Sequence, residues 1–158
     1  MPALVQLLLS TLLFSCAGPV ASFQQASSLS QGIKGNIVVL EGNLMPGLTR
    51  KNNTAVSSVA KSITPREIYV YELTNLRQVK RNGTFYTNIQ TKLVAKVVST
   101  STGNFQVALP PGKYSLFSKE PDGFFANLFD GESNIFPVEV KAQKVTPVEF
   151  KIDYNAVY

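Results

Sequence analysis

The chain has no histidine, no tryptophan and a single cysteine in 158 residues. Without histidine, the usual general base near neutral pH is missing, and so is the commonest metal ligand. One cysteine excludes an intrachain disulfide and any multi-thiolate zinc site. No nucleophile has a histidine partner and no G-x-S-x-G element occurs, so the chain is expected to be non-enzymatic, with no catalytic residues and no cofactor. Asp122, Asp130 and Glu132 sit in acidic loops that offer oxygen ligands for calcium. No D-x-[DN]-x-[DN]-G run accompanies them, and Asp and Gly at turns are what turn geometry selects, so no metal is expected.

Charge is also scarce. Charged residues make up 16% of the chain against 44% hydrophobic, which marks a folded chain and not a disordered one. The net charge of +5 is uneven: Arg50 to Lys96 holds nine Lys/Arg against two acids, whereas Lys113 to Asp153 holds five Lys against seven. Such a gradient favours an anionic surface. The plainer reading is a solvated exterior with a basic loop, because nothing in the sequence organises these charges into a stripe, and no nucleic-acid partner is expected.

No charged side chain precedes Lys34, and no apolar run is long enough for a membrane span. Leu4 to Phe14 has the length of a signal h-region and is followed by the small residues Ser15, Cys16, Ala17 and Gly18. The tetrad Leu13-Phe14-Ser15-Cys16 resembles a bacterial lipobox. The resemblance implies cleavage after residue 15 and a diacylglycerol on the Cys16 thiol, making the membrane a partner through that lipid. Phe14 is bulkier than the usual residue at its position, and Met1-Pro2-Ala3 carries no Lys or Arg. The alternative is conventional secretion, with cleavage after the small residues of Val20-Ala21-Ser22. Residues 16–32 are small and polar and read as a flexible tether.

From residue 33 to 158, short runs of β-formers alternate with turn chemistry. The runs are Ile33–Leu40, Arg66–Leu73, Lys92–Val98, Phe105–Leu109, Lys113–Ser118, Phe124–Phe129, Ile135–Val140 and Val145–Tyr154. A long loop spans Asn43 to Pro65, with a short helix near Ala55–Lys61. Asn82-Gly83 signals a type I′ turn. Pro110-Pro111-Gly112 signals a type II turn with Gly112 at positive φ. The expected fold is an all-β antiparallel sandwich of seven to nine strands, immunoglobulin- or prealbumin-like, with Phe105, Val107, Leu109, Tyr114, Phe150 and Ile152 in its core.

The segment from Gly103 through Phe105 and Leu109-Pro110-Pro111-Gly112 to Tyr114 resembles the carboxypeptidase-regulatory-like, transthyretin-related family, whose hallmark is G-x-F-x-(x)-x-L-P-P-G-x-Y. Ile33-Lys34-Gly35-Asn36-Ile37 fits the family's opening strand. With Gly42–Gly47, Arg66–Glu72 and Phe124–Gly131 the likeness extends to lipoproteins of Bacteroidetes type. It implies a β domain of the bacterial outer membrane but imports no activity, since fold does not carry function. Surface-exported members of that group carry acids just after the lipidated cysteine. Ala17 to Ala21 has none, which implies a periplasm-facing protein.

Two binding readings accompany the accessory one. Tyr69, Tyr71, Phe85, Tyr86, Phe124, Phe125 and Phe129 suggest a stacking platform for a glycan, although aromatics at strand spacing more often fill a core. The stretch from Leu109 through Tyr114 to Phe124 also resembles the B-type domains of collagen adhesins. That likeness implies an isopeptide bond between Lys34 and Asn155, assisted by Glu120.

Overall fold

The computed structural model describes residues 28–43 and 64–157. Ten strands fill these segments: β1 (Gly32–Asn43), β2 (Glu67–Glu72), β3 (Lys80–Asn82), β4 (Phe85–Thr87), β5 (Leu93–Val98), β6 (Asn104–Ala108), β7 (Gly112–Glu120), β8 (Gly123–Phe125), β9 (Pro137–Val140) and β10 (Val145–Val157). The only helical element among the described residues is a 3-10 turn, Leu76–Gln78, capped by the Asn75 side chain. The fold is an all-β sandwich, as the strand pattern predicts.

A three-stranded sheet has the order β10-β1-β6, and a seven-stranded one the order β3-β4-β8-β7-β2-β5, with β9 also paired to β7. β7 owes its burial to this topology. Its first half pairs with β9 and its second half with β8, while β2 lies along the other side. Residues Tyr114 to Ser118 are accordingly buried on both faces.

Period-two alternation sets the layers. Ile68 and Val70 of β2 and Leu116 of β7 are inaccessible, and Ile33, Ile37, Phe150 and Ile152 of the smaller sheet are buried with them. Each such side chain contributes roughly 1.5–3 kcal/mol by leaving water. The six expected core residues are buried, save Val107, which is half-buried.

Four details depart from the sequence reading. β1 and β10 pair in parallel, from Gly32↔Val145 to Asn43↔Val157, so the sandwich is not wholly antiparallel. Asn82 and Phe85 face each other, which makes Gly83-Thr84 the two-residue loop. Only its first member, Gly83, has positive φ, the pattern of a II′ turn. The Phe124–Phe129 run supplies strand only to Phe125. Gly112 does not have positive φ, so the Pro-Pro-Gly corner is not the type II turn expected. A Cβ there would stand 3.2 Å from the Tyr114 hydroxyl, a tight approach to a group that donates to the Pro110 carbonyl at 2.9 Å. The helix expected near Ala55–Lys61 lies outside the described residues.

Candidate functional site

The expected lipid site, Cys16, lies outside the described residues, as do the signal segment and most of the tether. The aromatic residues do not form one exposed platform. Tyr71, Tyr86 and Phe125 are buried, and Phe85 packs inward on Phe125 and Tyr154, at 6.0 and 5.0 Å between ring centroids. Phe129 is exposed but bridges to Ile135 in a separate loop. Tyr69 and Phe124 are half-buried neighbours, edge to face at 5.0 Å.

That pair marks the outer face of the large sheet, and the strand register identifies its company. Tyr69 is paired with Phe117 on one side and Lys96 on the other, and Tyr71 with Leu93. One row further, Lys119 pairs with Phe124, Phe124 with Tyr86, and Tyr86 with Arg81. Directly paired residues project to the same face, so two cations flank two aromatics across four strands. The lysines fold over the rings: Lys96 Nζ is 5.1 Å from the Tyr69 centroid, and Lys119 Nζ is 5.1 Å from that of Phe124. Glu67 is the acid in this group. It binds Lys96 at 2.8 Å and accepts from the Tyr69 hydroxyl at 3.2 Å. The Lys96 bond lowers the Glu67 pKa and raises that of Lys96, so both stay ionised.

A second polar group lies between the sheets. Glu120 has no exposed side-chain surface, and its Oε2 accepts from Arg66 Nη1 at 3.2 Å and from the Tyr154 hydroxyl at 2.9 Å. Phe85 and Phe125 both pack edge-on against the Tyr154 ring, at 5.0 and 5.2 Å between centroids. Glu120 thus ties β2 and β7 to β10 across the sandwich. It is not the helper of an isopeptide bond, which corrects that expectation. Lys34 is opposite Pro147 in the β1–β10 ladder, whereas Asn155 is opposite Glu41. The eight residue steps along β10 from Pro147 to Asn155 span roughly 26 Å at about 3.3 Å per residue.

The acidic loops are separate structures. Asp122 sits in the β7–β8 turn. Asp130 accepts from the Glu132 and Asn134 amides at 2.9 and 2.8 Å and from the Asn134 side chain at 2.8 Å. These bonds, the Asn134 side chain first, lower the Asp130 pKa. The carboxylate is therefore a loop staple whose lone pairs meet N–H donors. An open cleft of about 370 Å³ beside it is lined by residues of both charges, among them Lys113, Asp130 and Glu139. No group of three or more His, Cys, Asp or Glu is placed to hold a metal among the described residues.

The buried Arg66–Glu120–Tyr154 group and the lysine-capped rings were not legible as sites. Glu120 stands two residues from Ser118 in the period of an inward face, and that spacing was the available signal. No family model, no curated protein and no solved structure matches the chain.

Proposed function

We propose that this protein is a lipid-anchored, non-catalytic envelope protein. Its Cys16 carries the lipid and its β-sandwich acts as a structural or accessory domain, on the periplasmic side of a bacterial outer membrane. The observation that carries the reading is the position of the single cysteine, directly after the apolar run Leu4–Phe14 and the small residue Ser15. The likeness of Gly103–Tyr114 to carboxypeptidase-regulatory-like domains supports an envelope β module with no chemistry of its own. The lack of histidine supports the non-catalytic part.

The alternative, a carbohydrate- or peptide-binding module on the same anchor, asks for three exposed aromatics on one sheet face. The half-buried rings of Tyr69 and Phe124 each lie under an ammonium group instead. Metabolic labelling with an alkyne fatty acid tests the anchor: wild type incorporates label and Cys16→Ser does not. Equal labelling of both, or of neither, rejects it.

A further inference from the structure

We infer that the outer face of the large sheet is a docking surface for anionic phospholipid headgroups. The inference complements the lipid-anchor reading and rests on it for the presence of a membrane.

Two exposed apolar residues and two cations share this face by register. Leu93 is opposite Tyr71, Val98 opposite Glu67, Lys96 opposite Tyr69 and Lys119 opposite Phe124. Leu93 is 43% exposed and Val98 54%, on an edge strand where water-facing positions are ordinarily polar.

Charge complementarity selects the occupant. Lys96, Lys119 and Arg81 stand on this face by pairing, spread from β5 through β7 to β3, and Glu67 is the acid in the same rows. Glu67 is neutralised by Lys96, and Lys119 and Arg81 have no ion-pair partner among the described residues. The ammonium groups of Lys96 and Lys119 lie outermost, over the rings of Tyr69 and Phe124, where they would meet phosphate first. A glycan chain asks for bare ring faces in a groove, whereas this surface is a sheet face with its rings already covered.

Vesicle sedimentation of the chain begun at Ala17 tests the inference. That chain lacks the apolar run and Cys16 but keeps both sheets, whose described strands all lie within residues 32–157. Its behaviour is therefore independent of acylation, and loss of fatty-acid labelling with retained vesicle binding would remove the anchor and leave this face standing. The expected result is binding to phosphatidylcholine vesicles containing phosphatidylglycerol and not to phosphatidylcholine alone. Lys96→Glu with Lys119→Glu should weaken it about tenfold or more, given roughly fivefold for each basic side chain near an anionic surface. Lys144→Glu with Lys151→Glu, beside and on β10 of the smaller sheet, should weaken it much less.

A second measurement does not depend on charge reversal. Because the chain has no tryptophan, Val98→Trp supplies a clean emission signal. It should shift to the blue on the anionic vesicles, while Lys151→Trp, exposed on β10 of the smaller sheet, should not. Absence of binding, equal loss in both charge-reversed pairs, or an unshifted Val98→Trp overturns the inference. Tighter binding to polygalacturonate than to the anionic vesicles also overturns it, and makes the occupant an acidic polysaccharide.

Discussion

The ring of Phe105 on β6 occupies the space that a side chain at Gly35 of β1 would need. The two residues are direct cross-strand partners, and a Cβ on Gly35 would overlap the ring. Glycine is required here for close approach, although its φ is ordinary. Gly35→Ala should cost about 1–3 kcal/mol by overpacking, and Phe105→Ala about 3–5 kcal/mol by cavity formation. The two changes should couple, because Gly35→Ala loses its penalty once the ring is gone. Chemical denaturation of the four variants of the cycle measures this, and additive effects would separate the two residues.

Removing one member of the Arg66–Glu120 pair should be costly, because Glu120 has no exposed side-chain surface and Arg66 is only 23% exposed. Glu120→Ala strands the guanidinium and is expected to cost about 3 kcal/mol or more. Glu120→Met with Arg66→Leu removes both charges and should recover most of that loss. Thermal midpoints distinguish the outcomes. A Glu120→Ala midpoint equal to wild type would mean that the pair contributes nothing.

The sequence reading reached the fold through alternation, and its failures have physical causes. Ile68, Val70, Phe150 and Ile152 were legible as inward residues because a period of two needs no tertiary information. The parallel pairing of β1 with β10 was not, since partners more than a hundred residues apart leave no local trace. Gly112 was read through turn propensity, but its φ is not positive and its tight neighbour is the Tyr114 hydroxyl. The Glu120 partners were mistaken because motif likeness placed Lys34 and Asn155 together, while the strand register holds them far apart. The outer-face cations escaped notice because Arg81, Lys96 and Lys119 come to share a face only through pairing across strands.

Three tyrosines should resist alkali. Burial raises the pKa of Tyr71, Tyr86 and Tyr154, and for Tyr154 the bond to Glu120 adds to it. A pKa raised on folding means that stability is fully present below the unfolded value of about 10 and is lost as pH climbs through the folded values. Absorbance titration at the phenolate band should show these three of the six tyrosines ionising late, with unfolding setting in over the same range. Ionisation of these three near pH 10 with no loss of structure would contradict it.

The lipid on Cys16 is the central claim, and the intact mass of the protein extracted from its native envelope tests it most directly. The predicted mass is that of a chain beginning at Cys16 with a diacylglyceryl group on the thiol, and it should be lost in Cys16→Ser. A chain beginning after Ser22 without added mass would make the protein conventionally secreted, and one beginning at Met1 would mean that residues 1–15 are not a signal at all.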